Sequence, residues 1–300
     1  MSIFSLFKKR PTVVVHDGKF HCDDIFAVAT LTMVYGTLNI VRTRDEAQIQ
    51  KADFVADVGG ISDPQSNRFD HHQKGGAGVR ENGVPYAAFG LVWKKYGEQL
   101  CGSKAAAAHI DERFVLSLDA DDVAFSLGEF SGKFFPVTFQ GYFYAFRPSW
   151  KEDQNMYDKN FVVLVDRAVE FLKREISRTK DMLEASAEVK KAYEMATDKR
   201  VVVLKKNYPY NEELKKYPEP LFVVTPRPNG SWGLNTISPE DLGRFDIRKK
   251  LPEAWAGLRD DDMAKASGIA DAIFCHNGRF LAVAKTKEGA LALAQKALVN

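Results

Sequence analysis

The chain has 300 residues, of which 45% are hydrophobic, and a formal net charge of +2, enough apolar material for one large or two smaller globular domains. So small a charge gives no whole-molecule pull toward nucleic acid, and a nucleic-acid substrate has to be argued from individual sites. Three cysteines, Cys22, Cys101 and Cys275, exclude a fully paired disulfide framework, and with neither a secretory order of residues at the start nor an apolar run of about 18 residues the expectation is a cytoplasmic chain that does not span a membrane.

In chain order, the β-branched run Thr12 to Val15 predicts a buried strand, and the loop HDGKFHCDD leads from it into IFAVATLTMVYG, a helix closed by Gly36. Asn39 to Thr43 predicts a second strand, a short helical piece follows, and Phe54 to Val58 predicts a third strand ending at Gly59 and Gly60. Arg68 and Phe69 lead into Asp70, His71, His72 and Gln73. The polar, Gly-rich segment KGGAGVRENG after them reads as a mobile loop. Helices are expected at Tyr86 to Tyr96 and near Asp111 to Asp122. This alternation is that of a doubly wound parallel α/β sheet.

From Asp158 to Thr197, Phe161, Val162, Val165, Val169, Leu172 and Ile176 recur at helical spacing and predict a long connecting helix or helical pair. Beyond it, Val201 to Leu204 and Leu221 to Thr225 read as strands, and Asn229-Gly230 and Asn277-Gly278 as hairpin turns. The last helix, KEGALALAQKAL, presents Ala290, Leu291, Ala294 and Leu298 to a core. The expected organisation is therefore α/β. A parallel-sheet domain (residues 1–157) is joined through a helical connector (158–198) to a smaller α+β C-terminal domain (199–300).

Four of the six histidines, His16, His21, His71 and His72, fall in the first quarter of the chain beside aspartates. His16 ends the first strand, His21 and Asp23 lie in the loop after it, Asp57 ends the third strand, and His71 follows Phe69. In an open α/β sheet the carboxyl ends of the strands line the ligand crevice, so these positions converge. Mixed imidazole and carboxylate donors suit borderline divalent ions, and a bridging carboxylate, here Asp57, holds a pair that activates water for attack at phosphorus. Any one of these histidines alone is more often a cap or hydrogen-bonding residue, and the argument rests on the set. Asp17 and Asp24 read as loop or helix-cap residues, Asp121 and Asp122 as surface acids, and His109 as a helix-surface residue. No G-x-x-x-x-G-K-[ST] loop and no nucleophile elbow is present, against an NTPase or a serine hydrolase.

Asp70-His71-His72 resembles the signature triplet of the DHH phosphoesterase superfamily. The ordered series HDGKFHCDD, VRTRD, DVGG, RFDHHQ, Pro148-Ser149-Trp150, LPEAWAGLRD, FCHNGRF and KTKEGALALA is similar, over nearly the whole chain, to the Myg exonuclease family, the melanocyte proliferating gene protein family, within that superfamily. The resemblance implies that the first domain is of DHH type. One ion would be held by His16, His21 and Asp57, and a second by Asp23, Asp57, His71 and Asp119. His21 stands where the superfamily usually has Asp, which favours a softer ion, Mn²⁺ ahead of Mg²⁺ or Zn²⁺. His72 would lie near the scissile phosphate, Asp70 would orient a neighbouring His, and Asp57 completes the catalytic set.

For substrate, the resemblance implies phosphate or nucleotide contacts from Arg259, His276 and Arg279, with Arg248 and Lys249 as further candidates. Trp232 and Trp255 weigh toward core packing rather than base stacking. The implied activity is metal-dependent phosphodiester hydrolysis, as a 3′–5′ exonuclease on single-stranded RNA or short oligonucleotides. Two alternatives stand beside it: hydrolysis of a small substrate such as pyrophosphate or a dinucleotide, and a metal-stabilised nucleic-acid-binding protein without turnover. The short segment after RFDHHQ and the stretch 128–144 depart from the family pattern, and the oligomeric state, a homodimer included, is open.

Overall fold

A strand covered on both faces must be apolar along its whole length, and β1 (Thr12–Val15) meets that condition, with Val13, Val14 and Val15 at most 1% exposed. In the computed structural model, which describes residues 10–128, 137–239 and 247–299, contacts divide the chain into two units, one up to Lys180 and the other from Asp181.

In the first unit β1 pairs in parallel with β2 (Asn39–Arg42) and β3 (Phe54–Ala56). Two short strands follow, β4 (Ser62–Asp63) and β5 (Arg68–Phe69), and β5 continues the parallel set beside β3 while β4 runs antiparallel at the edge. The order is β2-β1-β3-β5-β4, so the sheet is mixed rather than wholly parallel. Helix α1 (Cys22–Tyr35) is buried all round from Cys22 to Leu31, as a helix with an apolar circumference must be. Then come α2 (Glu46–Lys51), α3 (Ala88–Cys101) and α4 (Lys104–Ile110), one π-helical turn at Asp111–Val115, α5 (Leu116–Asp122) and α6 (Phe139–Tyr144).

The Gly-rich segment expected to be a mobile loop is pinned. Arg80 within it is buried, its guanidinium forked onto Asp111 (3.0 and 2.8 Å) and bonded to Asp119 (2.8 Å).

Helix α7 (Met156–Met195) is a single helix and crosses the division between the units. Its buried stripe in the first unit is Phe161, Leu164, Val165, Ala168, Leu172 and Ile176, whereas Val162 is 46% exposed. In the second unit β6 (Val201–Val203) pairs in parallel with β7 (Phe222–Pro226). β8 (Trp232–Thr236), β9 (Ala272–Cys275) and β10 (Leu281–Ala284) complete an otherwise antiparallel sheet of order β6-β7-β8-β10-β9. Both Asn-Gly pairs do lie in turns. Gly230 has φ +82°, but in the second turn the left-handed residue is Arg279 (φ 59°) rather than Gly278. Helices α8 (Asn211–Leu214), α9 (Asp260–Ser267) and α10 (Lys287–Val299) flank this sheet in sequence, and Phe222, Leu234, Trp255, Leu293 and Ala294 form its core. Trp255 is thus a packing residue. Among the described residues no helix is long and apolar enough to cross a membrane.

Candidate metal centre

Three adjacent parallel strands, β1, β3 and β5, end at Val15, Ala56 and Phe69, so His16, Asp57 and Asp70–His72 all leave the sheet at its carboxyl edge. Asp57 does so in the left-handed region (φ 56°), its N–H bonded to Phe69 O at 3.1 Å. Such a conformation costs a non-glycine residue about 1–3 kcal/mol and persists where the surroundings over-determine it. The first turn of α1 adds Asp23 and Asp24, and the last turn of α5 adds Asp122.

The geometry fixes the chemistry of each ring. His16 Nδ1 lies 2.9 Å from Asp17 O, so it carries the proton and donates to that carbonyl. Nε2 then faces Asp57 Oδ2 at 3.1 Å and Asp24 Oδ2 at 3.2 Å. His71 Nε2 is 3.1 Å from Asp122 Oδ2, and its Nδ1 is 3.8 Å from Asp57 Oδ1 and 4.0 Å from Asp23 Oδ2. His21 Nδ1 is 3.3 Å from Asp122 Oδ1. Asp23 accepts from the N–H groups of Ala88 (3.0 Å) and Phe89 (2.7 Å) at the start of α3 and is thereby fixed in place. Asp24 accepts from His21 N–H at 3.0 Å with its other oxygen, the capping role its position suggested.

Both oxygens of Asp57, Asp24 Oδ2 and His71 Nδ1 are buried without a hydrogen-bond partner among the described residues. Buried polar atoms are normally satisfied, and a set of orphaned carboxylate and imidazole atoms facing one another fits a cation among them. Among the described residues, three groups of His and Asp bring ligand atoms within 4.8 Å of one another: His16, His21 and Asp57; Asp23, Asp57, His71 and Asp122; and Asp57, Asp70, His71 and His72. Asp57 alone belongs to all three. Burial pushes the Asp23 carboxyl well up and those of Asp24 and Asp119 to about 8 and about 7. For His16 burial pulls downward, but Asp57 and Asp24 outweigh it and lift the imidazole to about 9. Beyond burial, neighbouring carboxylates raise Asp23, Asp24 and His16 alike, as expected where negative charge is concentrated.

Asp70 behaves oppositely: against its burial, bonds from His72 Nδ1 (2.7 Å) and from the N–H groups of Gly60 and His72 hold it at about 2. That partner raises His72 in turn. His72 is 59% exposed at its side chain and stacks on His71, with centroids 4.3 Å apart.

The structure brings His16, His21, Asp23, Asp57, His71, His72 and Asp70 together, as the sequence predicts, but not Asp119. The Asp119 carboxylate, 0% exposed, is bonded to Arg80 (2.8 Å) and accepts from Gly90 N–H (2.9 Å). It therefore neutralises a buried guanidinium and caps α3. Asp122, read from sequence as a surface acid, stands in the cluster instead; a spacing of three on a helix marks both residues as sharing a face, and only the buried Arg80 separates their roles.

Arg248 is likewise committed elsewhere. Its guanidinium bonds the carbonyls of Lys215, Tyr217 and Pro220, so it braces backbone and has little left for a nucleotide. Lys249 bonds Leu298 O at 2.9 Å. His276 and Arg279 lie in the β9–β10 turn, and Arg259 bridges to Phe274 of β9. The Arg259 guanidinium lies 4.6 Å from the Phe274 ring centroid, and the His276 ring lies 4.1 Å from that of Phe280.

A family profile described as uncharacterised protein family (UPF0160), MYG1_exonuc, matches residues 12–298. A MYG1 protein of Caenorhabditis elegans is 32% identical over 94% of this chain and 94% of its own. Proteins named MYG1 exonuclease from Mus musculus and Homo sapiens are 31% and 29% identical, each over 97% of this chain, and over 85% and 86% of their own. No solved structure matches the chain.

Proposed function

The chain belongs to the MYG1 exonuclease family, and on that premise we propose that it is a metal-dependent phosphodiesterase: a cytoplasmic 3′–5′ exonuclease on single-stranded RNA or short oligonucleotides. The observation that supports the metal-dependent chemistry is the Asp57 carboxylate, buried, faced by histidine rings, with neither oxygen hydrogen-bonded and common to every ligand group among the described residues. In this reading His16, His21 and Asp57 hold one divalent ion and Asp23, Asp57, His71 and Asp122 a second. Nitrogen and oxygen donors without thiolate favour Mn²⁺, with Mg²⁺ and Zn²⁺ as alternatives. Bound there, the ions supply Lewis acidity, activating water and offsetting charge at phosphorus.

The chain's own groups do the rest. Asp70 fixes His72 through Nδ1 and favours its protonated form, which leaves Nε2 placed to give a proton to the departing oxygen. Arg259, His276 and Arg279 supply cationic and ring contacts for phosphate and base.

The test is to strip the protein of metal, restore Mn²⁺, Mg²⁺ or Zn²⁺ separately, and offer end-labelled RNA, DNA, dinucleotides and pyrophosphate in parallel. We expect Mn²⁺-restored release of mononucleotides from the 3′ end of RNA. Turnover of pyrophosphate alone would make it a small-substrate phosphatase, and RNA binding without turnover on any substrate would overturn the enzymatic reading.

A further inference from the structure

A pocket of about 460 Å³ adjoins the centre, with Asp57, Asp70 and His72 on its lining together with Arg44, Ile49 and Ile61. Arg44 is the single Lys or Arg among the residues that line it, and its side chain is 62% exposed. Nη1 makes both of the contacts of the guanidinium, to the carbonyl oxygen of Asp17 at 2.9 Å and to the Asp17 carboxylate. No partner among the described residues takes Nε or Nη2. A planar fork with donors to spare, at the rim of a pocket, suits a phosphate, and the exposed pair with Asp17 is weak enough for a phosphate to join or displace it. Glu46, a further acid on the lining, is exposed, so solvent screens its repulsion of a phosphate.

The position narrows which phosphate this is. Asp17 O accepts from both Arg44 Nη1 and His16 Nδ1, and His16 Nε2 faces Asp57. The guanidinium thus stands one carbonyl and one imidazole ring away from Asp57 and makes no ion pair with it. Ile49, Val58 and Ile61 add apolar surface to the same pocket.

We propose that Arg44 reads a second phosphate of the substrate, one nucleotide from the phosphate that is cleaved, and so makes the centre prefer oligonucleotides to isolated phosphodiesters. This rests on the phosphodiesterase reading above.

The test compares a dinucleotide carrying a 5′-terminal phosphate with the same dinucleotide lacking it, using the full-length Mn²⁺-loaded protein. The wild type should favour the phosphorylated form by about ten- to a hundred-fold in kcat/KM, the worth of hydrogen bonds to a charged group, chiefly through KM. In Arg44→Gln that ratio should fall to near unity, and Arg44→Lys should keep part of it. A loss shared equally by both substrates, with the ratio retained, would mean that Arg44 serves only to brace Asp17 and His16, and a wild type indifferent to the terminal phosphate would equally overturn the proposal.

Calorimetric titration with dinucleotides whose bridging oxygen is replaced by methylene reads the same preference without turnover. If wild-type protein cleaves no oligonucleotide, the phosphodiesterase reading falls. A phosphate-dependent affinity lost in Arg44→Gln would still sustain Arg44 as the reader, and its absence would remove it.

Discussion

Asp119 and Asp122 sit one turn apart on α5, and their partners rather than their spacing divide them into a guanidinium partner and a member of the metal cluster. The residue types and the three converging segments of the centre were legible in the sequence, because strand ends bring distant positions to one edge. The choice between these two aspartates was not, since it depends on Arg80, which arrives from a segment with every local mark of a solvated loop. The two roles separate experimentally. Asp122→Asn should weaken metal binding at least tenfold, since it removes a charged donor. Asp119→Asn should keep metal content near wild type while lowering unfolding free energy by about 1–3 kcal/mol, because buried Arg80 loses one charged partner. Metal titration and urea unfolding of both variants decide the matter, and the reverse pattern would return Asp119 to the ligand set. Asp57→Ala should lose all bound metal and all turnover together; two retained ions would refute the bridge.

The element that carries most of this arrangement is the first turn of α3. Its N–H groups are taken by two carboxylates from different parts of the chain, Asp23 at Ala88 and Phe89, and Asp119 at Gly90. Gly90 permits the approach, since a Cβ there would come within 1.8 Å of Asp119 Oδ2 and 2.8 Å of Arg80 Nη2. Gly90→Ala should therefore cost about 1–3 kcal/mol by overpacking and, by moving the turn that holds Asp23, should also weaken metal binding. Melting with and without Mn²⁺ reads both effects, and an unchanged melting temperature would show that the turn can shift freely.

Strands β1 to β3, helices α1 and α3 and the long α7 were readable from apolar runs and helical period. By contrast, β4 and β5 are two residues each and have no period to read; they exist only through pairing with β3 and with each other. The helix expected across Asp111–Asp122 is likewise broken by a π-helical turn that no local propensity announces.

At the scale of the whole chain, the centre makes stability depend on pH and metal together. In the metal-free fold burial raises Asp24 from 3.8 to about 8 and Asp119 to about 7, and raises Asp23 as well. Neighbouring carboxylates, against burial, raise His16 from 6.5 to about 9. Each raised group keeps its proton in the fold after the unfolded chain has released it, so its stabilisation is full below the unfolded value and is lost as pH rises through the folded one. Metal-free stability should accordingly fall between about pH 4 and pH 9. Asp70, held at about 2 against an ordinary 3.8, has the opposite sign but changes only below that window, whereas His21, lowered by burial, partly opposes the fall within it.

A divalent ion takes the place of the protons on Asp23, Asp24 and His16, so its stabilising effect must grow as they become harder to keep. The rise in melting temperature on adding Mn²⁺ to chelator-treated protein should be larger at pH 8 than at pH 6. Loading at pH 7 should release protons, measurable by calorimetry in buffers of differing ionisation enthalpy. A metal-induced rise that shrinks with increasing pH would mean that the ion does not bind among these carboxylates. The same protons would then belong to a buried acidic network that is structural in its own right.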